Sequence, residues 1–312
     1  MHIDFLIALA GLIVGFTVGL TGMGGGALMT PILVLLFHVQ PLAAVSSDLV
    51  AAVVMKPVGS AVHLRHGTVN KPLVKWLVIS SVPFAFAGVL VLNSLGNGQV
   101  VQDRIKLTLG FALLLACASI VFKALMQVRQ WGKDREIERA GGTPPPPPEF
   151  KIRPLPTMMI GALGGLVVGM TSVGSGSLII VLLLLLYPSL RAGQLVGTDL
   201  VQAVPLVASA ALGHLLFGDF KLALTTSLLI GSIPGVYIGA RVSSRAHGGL
   251  VRRALVFVLL ASGLKLVNVP TTTLAWILGA VVIVGPLLWM AARRANGLSA
   301  RPPRLREMVS AQ

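Results

Sequence analysis

Residues 15–28 read GFTVGLTGMGGGAL and residues 165–178 read GLVVGMTSVGSGSL, so Gly15, Val18, Gly19, Thr21, Gly24, Gly26 and Leu28 all recur 150 positions on. After one inserted residue the correspondence resumes at an offset of 151. It pairs Asp48 with Asp199, Leu49 with Leu200, His63 with His214, Gly67 with Gly218, Pro83 with Pro234 and Gly88 with Gly239. A chain that repeats itself over most of its length folds as two related halves.

The halves are too apolar for water. Of the 312 residues, 55% are hydrophobic and only 11% charged, with a mean hydropathy of +0.88. Apolar runs fall at 5–21, 27–37, 42–62, 73–95 and 105–126, and again at 156–171, 177–187, 193–217, 222–240 and 251–267, with an unmatched run at 274–292. Continuous Leu, Val and Ala blocks of this length read as bilayer-spanning helices, and the absence of alternating short strands excludes a membrane barrel. Duplication in such a chain points to a transporter built from two repeats. Cys117 is the lone cysteine and sits in an apolar run, so disulfides and cysteine-based metal sites are excluded, and no cofactor is expected. The start of the chain lacks a basic n-region, so the first run reads as retained structure.

The formal net charge of +15 lies between the apolar runs, not on a nucleic-acid-binding face. Lys123, Arg129, Lys133, Arg135, Arg139, Lys151 and Arg153 crowd the central connection, and Arg293, Arg294, Arg301, Arg304 and Arg306 crowd the tail. Both segments are therefore expected on the cytoplasmic side. Counting crossings from the linker places Arg65, Lys71 and Lys75 inside, residues 217–221 outside, and Arg241, Arg245, Arg252 and Arg253 inside. The halves then face opposite ways, as an inverted repeat.

The expected organisation is a first transmembrane repeat at 1–127, a charged and proline-rich cytoplasmic linker at 128–156, and a second repeat at 157–268. An extra helix at 269–292 and a basic cytoplasmic tail at 293–312 follow. The run Pro144 to Pro148 favours extended polyproline II and reads as a solvated spacer.

Within each half the second run, 11 residues, spans only about 16 Å as a helix. Joined to the first run it would overshoot the bilayer, so the chain must break at the glycine clusters, as an unwound stretch or a re-entrant hairpin. Non-helical backbone at membrane depth survives only buried in protein or lining a cavity. The breaks are thus the candidate substrate site, made of Thr21, Gly22, Gly24, Gly25 and Gly26 in one half and Thr171, Ser172, Gly174, Ser175, Gly176 and Ser177 in the other. Freed N–H groups and hydroxyls there suit an oxyanion. The same glycines could instead serve close helix packing.

Polar groups inside apolar runs complete the candidates. Asp48 and Asp199, in AVSSDL and LVGTDL, read either as ion-coupling carboxylates or clamps on the breaks, or as helix caps aided by Ser46, Ser47 and Thr198. Lys56, matched by Val207, could bind an anion or pair with Asp48, or it could snorkel to the interface. Asp48, Asp199, Lys56 and Thr198 are the coupling or gating candidates. His63 and His214 read as interfacial hydrogen-bonding groups or proton relays.

The string GLTGMGGGALMTP (residues 19–31), AVSSDL, GMTSVGSGSL and VGTDL together resemble the TauE/SafE sulfite exporter family, also called the 4-toluene sulfonate uptake permease family. The resemblance covers residues 5–267. It implies an all-α polytopic protein of the bacterial inner membrane with about eight transmembrane segments in two repeated halves, moving sulfite or organosulfonates as a secondary carrier. The linker is longer than the family pattern, and Val181 stands where a second Pro31 would fall.

A small anion and the lipid bilayer are the expected partners, without nucleic acid, and a homo-oligomer is compatible with the sequence. No Walker motif occurs, so energy must come from a gradient. A passive anion channel is the main alternative, and an intramembrane hydrolase with a Ser175–His214 pair the remote one.

Overall fold

The computed structural model describes residues 4–21, 25–65, 67–94, 98–141, 151–190, 192–243 and 248–298. Gly22, Gly24, Arg245, Pro144 to Pro148, Arg301, Arg304 and Arg306 lie outside them, as does the side chain of Thr21. Among the described residues eleven helices follow in order: α1 (Phe5–Thr21), α2 (Gly26–Leu35), α3 (Pro41–Arg65), α4 (Lys71–Ser94), α5 (Gln99–Arg139), α6 (Pro154–Thr171), α7 (Leu178–Leu186), α8 (Ala192–Phe217), α9 (Leu222–Ser243), α10 (Gly248–Leu266) and α11 (Thr271–Ala295). The fold is an all-α polytopic membrane protein; seven of the described helices are long and apolar enough to cross a bilayer.

The first helix of each half pairs with the fourth helix of the other. α1 lies along α9, and α6 lies along α4, the same pairing under the repeat. Small residues make both contacts. A Cβ on Gly11 would come within 2.7 Å of Leu228 O, and one on Gly88 within 2.6 Å of Leu166 O. Gly15 presses on Ser232 and Gly165 on Ser81, again as repeat equivalents. Lipid tails are as apolar as leucine, so close backbone approach through glycine and serine supplies the packing that drives such pairs. Gly15, Gly161, Gly165 and Gly169 therefore serve helix packing, not the breaks.

Antiparallel pairing of equivalent helices demonstrates the inversion. Ser46 near the start of α3 bonds His214 near the end of α8 at 2.8 Å, while Ser60 near the end of α3 donates to Leu200 O of early α8 at 2.8 Å. Likewise Lys106 Nζ of early α5 reaches Asn268 Oδ1, just beyond α10, at 3.0 Å. A two-fold axis that reverses helix direction lies in the membrane plane.

Helix α5 does not stop where its apolar run ends at Met126. It continues to Arg139 through Gln127, Arg129, Gln130, Lys133 and Glu136, all good helix formers. Gly132 there packs on Asn296 at the end of α11, and Gly297 approaches the Arg139 guanidinium. The two basic segments thus meet on one side of the molecule. The window of α11 that could span the bilayer is otherwise unburied by protein.

Candidate functional site: two helix breaks around a buried lysine

α6 ends at Ser172, whose φ of 61° is left-handed, and the chain then passes through Gly174 at φ 136° and Gly176 at φ 87° before α7 begins. Only glycine adopts the last two without strain. The segment turns back on itself. At the far end of α7, Tyr187 Oη accepts the Arg153 N–H at 2.8 Å and lies 2.6 Å from Thr157 Oγ1, both at the start of α6. Gly164, midway along α6, faces Ile179. Helix α6, the break and α7 are therefore a re-entrant hairpin with both ends on one side. α7, at nine residues, covers only about 13 Å.

In the first half Gly25 and Gly26 open α2. Gly25 has an ordinary helical φ of −61°, so it needs no glycine-specific conformation. Gly26 needs its missing side chain, because a Cβ there would overlap the carbonyl oxygen of Ser172. The breaks of the two halves touch at this point.

Around that contact the structure gathers the charged residues. Asp48 and Asp199 are 2% and 1% exposed, and Lys56 is 8% exposed. Asp48 Oδ2 accepts hydrogen bonds from Thr30 Oγ1 of α2 and Ser172 Oγ of the opposite break, each at 2.8 Å. Asp199 accepts from Gln202 Nε2 at 3.1 Å and from the Gly176 backbone N–H. Lys56 Nζ donates to Ser175 Oγ. Its charge interacts with both carboxylates, Asp199 more strongly than Asp48.

These positions settle several alternatives. Asp48 and Asp199 both lie well inside their helices, and each clamps a break; neither caps a helix start. Lys56 does not snorkel, because its ammonium is turned inward onto Ser175. Thr198 faces away from the cluster: its Oγ1 accepts the Asn70 N–H ahead of α4 at 3.0 Å, just as Ser47 takes Lys221 N–H at 3.4 Å in the other half. Thr171 is spent on its own backbone, bonding Val167 O, Val173 O and the Val173 N–H. Ser177, at the start of α7, is 3% exposed and its Oγ has no hydrogen-bond partner.

His214 is fully buried, not interfacial, bridging Ser46 Oγ and the Gly169 carbonyl at 2.8 Å each. A carbonyl can only accept, so Nε2 carries the proton. With both nitrogens engaged and Ser175 bonded to Lys56, no Ser175–His214 catalytic pair exists. His63 is bound to Thr68 at 2.9 Å.

Thr30 and Gln202 belong to the cluster although sequence reasoning passed over them. Each is a lone polar residue in an apolar stretch, Thr30 beside a helix proline and Gln202 three residues after Asp199. An apolar cavity of about 310 Å³, lined by Met55, Val58, Ile233, Pro234, Val236 and Tyr237, flanks α3 one residue from Lys56.

Inverted repeats, broken helices and buried charge where the breaks meet define a membrane transporter, not an enzyme. The family described as "Sulfite exporter TauE/SafE" matches residues 7–266, and the chain belongs to that family. Three Bacillus subtilis (strain 168) proteins are similar to it. "Probable membrane transporter protein YjnA" is 38% identical over 267 residues, 84% of this chain and 98% of the relative. "Probable membrane transporter protein YdhB" is 24% identical over 266 residues, 84% and 99% of the two chains. "Probable membrane transporter protein YunE" is 31% identical over 114 residues, 36% and 40%. No solved structure matches the chain.

Proposed function

We propose that the protein is a secondary carrier of small sulfur-containing anions, sulfite or an organosulfonate, working by alternating access. The observation that carries this reading is Lys56, a buried ammonium donating to a serine inside the break of a re-entrant hairpin. An oxyanion there would meet the ammonium and the Ser175 and Ser177 hydroxyls, a charge-assisted donor set of the kind such a ligand requires. A buried cluster has to open to each side in turn, and the exchanged packing of α1 on α9 and α4 on α6 supplies two equivalent bodies that can rock about the touching breaks. The membrane is the bacterial inner membrane, with the linker and the C-terminus cytoplasmic, which agrees with the meeting of the two basic segments at the end of α5.

Counterflow in proteoliposomes tests the carrier reading. Unlabelled sulfite or sulfonate inside should accelerate uptake of the labelled anion. Uptake indifferent to the trans anion identifies a channel, and no uptake of any sulfur anion in the panel removes the substrate assignment.

A further inference from the structure

We infer that Asp48 is the group that carries a proton across with the anion, whereas Asp199 is the standing counter-ion of Lys56; this rests on the anion-carrier reading above. The two carboxylates occupy equivalent places in the repeats, but their partners differ in kind. Asp199 is held by N–H groups, those of Gln202 and Gly176. An N–H can only donate, so this environment suits an ionised carboxylate in either conformation. Asp48 is held by two hydroxyls, Thr30 Oγ1 and Ser172 Oγ. A hydroxyl donates or accepts, so when Asp48 takes a proton one of these contacts reverses, the new carboxyl O–H donating to that hydroxyl, while the other hydroxyl goes on donating. The difference is written into the repeat: Thr30 and Ser172 correspond to Ile180 and Gly22, and Gln202 to Ala51.

The charge count points the same way. Two buried carboxylates share one buried ammonium, so one negative charge is left over, and Asp199, bonded to Gly176 next to the Ser175 that holds Lys56, is the carboxylate set beside the ammonium. Among the described residues, the other charged or titratable side chains on the helices around α3 do not offset the charge left over. His214 of α8 is engaged at both nitrogens, Lys221 of α9 is half-exposed and pairs with Asp219 at 3.8 Å, and the field of Lys123 of α5 falls on Asp199. From α2 the Asp48 carboxylate receives the Thr30 hydroxyl. A monoanion arriving at Ser175 would give three negative groups to one ammonium in a buried, low-dielectric site. A proton taken by Asp48 from the water on the loading side removes the excess, and it leaves to the water on the other side with the anion. One anion and one proton cross together, without net charge. Because Asp48 ties α2 to Ser172, the proton changes a bond at the point where the two halves touch.

The test uses the purified full chain in proteoliposomes with methanesulfonate, which does not itself titrate near neutral pH, and with sulfite, a pH dye inside and the potential clamped. Wild type should acidify the lumen as the anion enters, at a rate independent of the clamped potential. Asp48→Asn should lose pH-gradient-driven uptake by about tenfold or more and should make whatever anion exchange remains independent of pH, whereas Asp199→Asn should lower exchange at every pH. Retention of pH-driven uptake in Asp48→Asn overturns the assignment, and so does loss of proton movement with intact exchange in Asp199→Asn. If Asp48→Asn does not fold, Thr30→Val and Ser172→Ala decide: each keeps the carboxyl but removes one hydroxyl, and each should shift the pH of half-maximal uptake, whereas unchanged profiles in both overturn the inference. Anion exchange without proton movement in wild type overturns the coupling alone; failure of wild type to move either anion overturns the carrier reading and the coupling with it.

Discussion

Gly26 and Ser172 belong to opposite repeats, yet they sit so close that a side chain on Gly26 would occupy the Ser172 carbonyl oxygen. Ser172 in turn donates to Asp48. One contact therefore joins the two helix breaks to a buried carboxylate, and neither half can move without changing it.

Substituting Gly26 tests that contact directly. Gly26→Ala forces the breaks apart and should cost about 1–3 kcal/mol, as overpacking of a filled interior does. Gly25→Ala is the control, since its new methyl would find Val18 at 3.7 Å and Met55 at 3.9 Å, ordinary contact distances. Thermal unfolding in detergent should show a lowered transition for the first variant and little change for the second. Equal transitions would mean the breaks do not meet as described.

Gly174→Ala and Gly176→Ala impose an L side chain at φ 136° and 87°. Each should destabilise the hairpin by about 1–3 kcal/mol through backbone strain. Gly279→Ala, on the unburied face of α11 with nothing near its Cβ, should be silent. The comparison of melting temperatures separates strain in the break from any general cost of losing glycine in a membrane helix.

Removing the ammonium with Lys56→Met deletes a charge-assisted donor from the anion site. The expected loss is about 1.5–3 kcal/mol of anion affinity, a factor of about 10 to 150, read as a raised half-saturation concentration for uptake. The same variant leaves Asp199 without its cation, which for a buried pair costs about 3–5 kcal/mol of stability. Lys56→Met combined with Asp199→Asn should recover the stability but not the transport. Recovery of both would reduce Lys56 to a structural role.

Much of this architecture was legible in the chain. The first run, 5–21, coincides with α1, and the other run boundaries fall within a few residues of their helices, because the bilayer sets where apolar blocks begin and end. The exception is α5, whose last 13 residues are mostly polar and gain their helicity from propensity and from the seat of Gly132 on Asn296, neither of which hydropathy records. The breaks were legible too, through glycine density beside half-length helices. What eluded sequence reasoning was pairing across the repeats. Ser172 looks like one more hydroxyl of its own break until Asp48 of the other half is placed against it, and Lys56 looks like a snorkelling residue until the second hairpin brings Ser175 to its ammonium. Such contacts depend on the exchange of helices between halves, and local pattern carries no trace of that exchange.

The second hairpin is closed by a ring of hydrogen bonds absent from the first. Arg153 N–H donates to Tyr187 Oη, Tyr187 lies 2.6 Å from Thr157 Oγ1, and Thr157 donates to Arg153 O at 2.7 Å. The equivalent residues in the first half, Ile7 and Phe37, are apolar and belong to one packed cluster with Val14, Leu28 and Met29. Tyr187→Phe opens the ring, leaving a partly buried amide without its acceptor, and should cost about 1 kcal/mol. Because Tyr187 and Ser175 lie at opposite ends of α7, anion affinity should stay at its wild-type value while amide exchange at Arg153 quickens. Tyr187→Phe together with Thr157→Val should cost less than the sum of the two single changes, since both break the same ring. Strict additivity would show that the two hydroxyls act separately and that the hairpin is held by its apolar contacts alone, as its counterpart is.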